Sequence, residues 1–104
     1  MCKKAMISQP MRDLSPEEIE ATRDKAKSFL ESKGYEVVDT YFKEEWSKEE
    51  VERVVNKPLF YLAKSLEKMS ECECLYLCNG WEKTRGCIVE KITAEQYGLE
   101  LVFE

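Results

Sequence analysis

The chain has 104 residues, 43% of them apolar and 36% charged, with three prolines and four glycines, so it can build one modest hydrophobic core and has little room for a second. Its formal net charge of −5 argues against gripping a nucleic-acid backbone, which takes clustered positive charge, although a pocket on an acidic protein can still be locally positive. The absence of histidine rules out a histidine general base, a histidine triad and a histidine-ligated metal within the chain.

Residues 3–9, KKAMISQ, hold a short apolar run ended by Pro10 and predict a first strand. Beyond a polar loop, Ser15 and Pro16 have the chemistry of an N-cap and first helical position, and Glu18 completes a capping-box pattern. Ile19, Thr22, Ala26, Phe29 and Leu30 recur at helical spacing, and the helix is expected to end near Lys33 and Gly34, where glycine can take the left-handed cap. The β-branched and aromatic run that follows predicts a second strand at roughly 35–40, making a βαβ unit with a right-handed crossover.

The highly charged stretch 41–57 has room for one short helix around 47–55, which Pro58 ends or restarts. Leu59, Leu62, Ala63, Leu66 and Met69 then share one helical face. CECLYLCN at 72–79 predicts a third strand, apolar enough to be buried on both sides as in the middle of a parallel sheet. Asn79-Gly80 breaks it, residues 84–97 form a last helix, and 99–103 a last strand after Gly98. The expected fold class is α/β, a three-layer sandwich of about four parallel strands with helices on both faces, in a single domain over 1–104.

The five cysteines are Cys2, Cys72, Cys74, Cys78 and Cys87. With an odd count and no secretory leader before the first strand, they read as reduced thiols of a cytoplasmic protein. No apolar stretch approaches the roughly 18–20 residues that cross a bilayer, so no membrane partner is expected. Cys72, Cys74 and Cys78 have one parity on the predicted buried strand and read as core; they lack the CxxC spacing usual in a metal centre, and no metal site is expected. Cys87 falls in the first turn of the last helix, where a thiol pKa can fall, but no base accompanies it. Neither a dinucleotide fingerprint nor a P-loop occurs.

In an open parallel sheet, ligands bind outside the carboxyl ends of the strands. Two loops qualify, Ser8 to Asp13 after the first strand and Asn79 to Gly86 after the third, and both line one cleft if those strands are neighbours. Arg12, just ahead of a helix start, suits an anion; the alternative is a polar turn with a solvated arginine. Glu90 lies in the first or second turn of the last helix and shares a face with Ala94 and Tyr97. The helix N-terminus favours its anionic form there, as a nucleophile at a sugar carbon needs; the alternative is ordinary surface composition in a chain with 21 acidic residues. Trp81 can wall a flat pocket and stack on a base or sugar, or act as a lid over the core.

Met6-Ile7-Ser8-Gln9-Pro10-Met11 resembles the first strand and loop of the nucleoside 2-deoxyribosyltransferase superfamily, in particular a group of small bacterial and phage domains within it. Trp81-Glu82, Arg85-Gly86-Cys87 and Glu90, followed by Ala94, resemble its glycine-then-glutamate segment, and NKPLFYLAKSLEKMSEC resembles the helix before that segment. The resemblance implies a flavodoxin-like sheet, a homodimer or larger homo-oligomer, and cleavage of the N-glycosidic bond of deoxynucleosides or their 5′-monophosphates without a cofactor. Carried onto this chain, it makes Glu90 the nucleophile, with Ser8, Gln9 and Arg12 contacting the sugar or a 5′-phosphate. Trp81 and Glu82 would border the sugar or base, and Gly86 would belong to the same substrate-binding segment. The chain departs from the pattern at Met6, where the family usually has an aromatic, and at Gln9, where it has a glycine. A non-catalytic nucleotide-binding or structural domain of the same fold is the alternative; nucleic acid is not an expected partner.

Overall fold

Ala5, Met6, Ile7 and Ser8 are all buried, which places the first strand inside the sheet rather than at its rim. The computed structural model describes residues 3–11, 13–38 and 47–104. In it β1 (Lys3–Ser8) pairs in parallel with β2 (Tyr35–Val38) on one side and β3 (Cys74–Leu77) on the other. β4 (Glu100–Phe103) completes a four-stranded, all-parallel sheet in the order β2-β1-β3-β4. This is the expected α/β architecture of flavodoxin-like type. β1, β3 and β4 are one, four and one residues shorter than the sequence pattern suggests; β2 fills its prediction over 35–38, and residues 39–40 of that prediction lie outside the described residues.

The helices start where local chemistry dictates. α1 (Pro16–Ser32) is capped by Ser15, whose Oγ accepts the Glu18 amide at 3.2 Å. It stops at Lys33, and Gly34 takes a φ of 88°, a conformation that costs a side-chain-bearing residue roughly 1 kcal/mol. α2 (Lys48–Glu52) is capped by Ser47. α3 (Lys57–Met69) is capped by Asn56, whose Oδ1 accepts the Leu59 amide at 3.1 Å, so Pro58 opens this helix in its first turn. After a single 3-10 turn at Trp81–Lys83, α4 (Arg85–Gln96) leads to β4.

β2 and β3 lie on opposite sides of β1, so right-handed crossovers send α1 to one face and α3 and α4 to the other. Two cores follow. On the α1 face Ala5 and Ile7 meet Ala26, Leu30, Cys74, Tyr76 and Cys78. On the other face Met6 meets Met69, Cys72, Leu75, Leu77 and Ala94. Cys72 therefore packs away from Cys74 and Cys78: it sits in the turn before β3, where strand parity does not yet apply.

Two predicted helix faces are redrawn. The buried stripe of α1 is Ile19, Arg23, Ala26 and Leu30, while Phe29 is 42% exposed and leans its ring on Tyr76 at 5.8 Å. On α3 only Met69 is buried; Leu59 is 58% exposed, because the helix meets the second core through its last turns. A further contact spans the sheet: on the α1 face the Tyr35 hydroxyl of β2 donates to Glu100 of β4 at 2.6 Å, over Ala5 and Cys74.

Candidate functional site at the crevice between β1 and β3

The chain reverses its direction of travel across the sheet between β1 and β3, so a crevice is expected outside their carboxyl ends. Ser8 ends β1 in register with Leu77, and the Cys78 amide donates to the Ser8 carbonyl at 3.0 Å just beyond. The loops after the two strands touch: a Cβ on Gly80, which has a φ of 91°, would lie 3.6 Å from Cγ of Pro10. Adjacency of the first and third strands thus brings both predicted loops together.

Alternation along β1 turns Ser8, like Met6, toward α4. A hydroxyl buried there needs a partner, and it donates to Oε1 of Glu90 at 2.8 Å. Glu90 occupies the second turn of α4 and is 8% exposed, on a buried face with Cys87 and Ala94. Tyr97, expected on that face, is 81% exposed, because at the C-cap the backbone has already left helical geometry.

Burial pushes the Glu90 carboxyl up to about 7, while the Ser8 hydrogen bond and the positive charge of Arg23 pull it back. The expected stabilisation of the anion by the helix N-terminus is thus outweighed by loss of water. Cys87 shows the same inversion: burial raises its thiol to about 11 despite the opposing Ser8 hydroxyl, so its place in the first turn does not make it a reactive thiolate. Cys78 is raised further, to about 12, again chiefly by burial. A carboxyl near neutrality exchanges protons readily and, once ionised in a water-poor site, is a stronger nucleophile than a solvated one.

Gln9 is buried and engaged by α1: its Nε2 donates to the Ile19 carbonyl at 2.9 Å, and its Oε1 accepts from Nη1 of Arg23 at 3.0 Å. Trp81 is half-buried over the second core, its ring 5.8 Å from Phe103 and 5.9 Å from Nζ of Lys91, an arrangement that makes it a lid on that core. Glu82 is exposed in the 3-10 turn. Gly86 is half-exposed, and a Cβ there would meet nothing within 4 Å, so the first turn of α4 borders open space. Arg12 lies outside the described residues. The structure thus joins Ser8 to Glu90, sets Gln9 against α1, and places Trp81, Glu82 and Gly86 along the other loop.

Sequence reasoning missed two residues. Arg23 is buried beside Gln9, and its signal was its spacing from Ile19, Ala26 and Leu30, which puts a charge on an apolar stripe. Glu104 accepts the Asn79 amide at 2.8 Å and binds Nζ of Lys25 at 3.3 Å, tying the β3 loop to α1; the Asn79 bond foremost holds its carboxyl below the usual range. Nothing in its sequence context marks it among 21 acidic residues.

Among the described residues no group of three or more cysteine or carboxylate side chains is placed to hold a metal ion, and no helix is long and apolar enough to cross a membrane. A separate cavity of about 430 Å³ lies between α2 and α3, lined by Val51, Val54, Phe60 and Tyr61 with Lys48 and Lys57, and shares no residue with the crevice. Compared with protein-family models, curated proteins and solved structures, the chain matches none.

Proposed function

We propose that the crevice binds a deoxynucleoside or its 5′-monophosphate and that Glu90 cleaves the N-glycosidic bond. A Glu90 oxygen forms an ester bond to the anomeric carbon as the bond to the base breaks. The electron pair leaves with the base, which takes a proton from solvent, and water or a second base then attacks the same carbon and frees Glu90. No step needs a metal or an electron carrier. The observation that carries this reading is the 2.8 Å bond between Ser8 and Glu90 at the carboxyl end of β1, where α/β sheets bind ligands. The bond fixes one carboxylate oxygen, and the open space at Gly86 borders the same helix.

Arg12 is assigned to the 5′-phosphate by the sequence resemblance, so Arg12→Ala is expected to weaken monophosphate binding more than nucleoside binding. A homodimer or larger homo-oligomer and a cytoplasmic setting go with this reading; the four described cysteines are free and buried, as a reducing compartment permits.

The test is base release from a panel of deoxynucleosides and their 5′-monophosphates, with Glu90→Gln beside the wild type. Release by the wild type alone is the expected result. No release by either overturns the enzyme in favour of a non-catalytic nucleotide-binding or structural domain. That second reading draws support from the 8% exposure of Glu90, since a carboxyl sealed against a serine also serves as a structural pair.

A further inference from the structure

A buried arginine is an expensive way to fill an apolar stripe. Desolvating a guanidinium is unfavourable unless it is paired and hydrogen-bonded, and a leucine between Ile19 and Ala26 would pack without that cost. The placement of Arg23 suggests what the charge does there. Its Nη1 donates to Oε1 of Gln9, whose Nε2 donates to the carbonyl of Ile19, one turn earlier on the same helix. The two bonds fix which way the Gln9 amide faces. Gln9 directly follows Ser8, which holds Glu90. Glu90 also lies within the electrostatic reach of Arg23.

We propose that Arg23 is a positioning residue of the crevice, a buried positive charge that acts on a bound ligand through Gln9 and Glu90 rather than by touching it. Through Gln9 it holds the end of β1 against α1. Through space it offsets part of the desolvation that burial imposes on Glu90, so that a larger share of that carboxyl is ionised near neutral pH. Among the described residues the groups that act on Glu90 are Ser8 of β1, Arg23 of α1 and, on its own helix, Cys87, a thiol that is raised by burial and stays neutral near pH 7. Arg23 is thus the charge among them. Its catalytic importance rests on the reading of Glu90 as the nucleophile; its coupling to Glu90 does not.

The experiment is a double-mutant cycle of Arg23→Met and Glu90→Gln, read as thermal midpoints at about pH 5 and about pH 8.5, either side of the Glu90 transition. Arg23→Met is expected to lower the midpoint more in the wild-type background than in Glu90→Gln at the higher pH, and equally in both at the lower pH. If the two losses match at both pH values, Arg23 only supports packing and the proposal falls. Should Arg23→Met fail to fold alone, folding of the double variant at the higher pH supports the coupling, and failure of both overturns it. Carbon-13 NMR of the Glu90 carboxyl gives an independent reading: Arg23→Lys is expected to leave its midpoint near the wild-type value, and Arg23→Met to raise it at least twofold in proton affinity. These readouts need no turnover. An intact coupling with no base release would leave Arg23 in place while removing Glu90 as a nucleophile.

Discussion

Ser8 and Glu90 stand 82 positions apart in the chain and 2.8 Å apart in the fold, the serine hydroxyl donating to the carboxylate. Both are almost wholly withdrawn from water, so neither can exchange this contact freely for solvent, and the properties of Glu90 depend on β1, far from it in the sequence.

The pH dependence of stability follows from that burial. The Glu90 carboxyl is raised in the folded state from 4.5 to about 7, so folding favours its protonated form. Its contribution is fully present below about pH 4.5 and is lost as pH rises through about 7, amounting to on the order of 3 kcal/mol. Urea midpoints taken between about pH 5 and pH 8.5 should fall with rising pH in the wild type and stay nearly level in Glu90→Gln. An equal slope in both would show that Glu90 is solvated.

Ser8→Ala removes the hydroxyl that donates to Glu90 among the described residues. At about pH 8.5, where the carboxylate is charged, the loss should be about 1–3 kcal/mol, and it should shrink near pH 5. The Glu90 midpoint should rise further in this variant. Denaturant titration at the two pH values gives the energies, and carboxyl NMR gives the midpoint.

The thiols offer a simple chemical check. Cys72, Cys74, Cys78 and Cys87 are buried and raised to about 11, 11, 12 and 11, so none presents a thiolate near neutrality. Alkylation followed by peptide mapping should label these four only after denaturation. Fast labelling of Cys87 in the native protein would contradict its packing against Ser8 and Glu90.

The orientation of α1 is testable with a pair of substitutions. Leu30→Ala opens a cavity in a fully buried position and should cost about 2–5 kcal/mol. Phe29→Ala, at a residue 42% exposed, should cost clearly less, although phenylalanine is the larger side chain. The reverse order would place Phe29 rather than Leu30 at the centre of the buried face.

Local chemistry made much of the fold legible. Ser15 announces a helix start and Pro58 an end or a restart through effects within a few residues, and the apolar strand pattern calls for a sheet covered on both faces. Adjacency of β1 and β3 then follows from the topology normal for such sheets, and with it the meeting of the two loops. The resemblance singles out both Ser8 and Glu90, which the fold brings together, but the electrostatics of Glu90 were not legible: helix position favours the anion, burial opposes it, and the balance depends on packing that no short segment encodes. Arg23 was legible in principle from its spacing on α1. Glu104 was not, because its partners Asn79 and Lys25 are distant in sequence and each is an ordinary polar residue.

The bond from Tyr35 to Glu100 works as a tie-beam between the two outermost strands. It can lie flat because Ala5 and Cys74 beneath it are small. A methyl and a thiol in the middle of the sheet thus set the headroom for a bond between its rims. Enlarging either would lift the phenol and loosen both rims together, so a defect at the centre of this protein would first be felt at its margins.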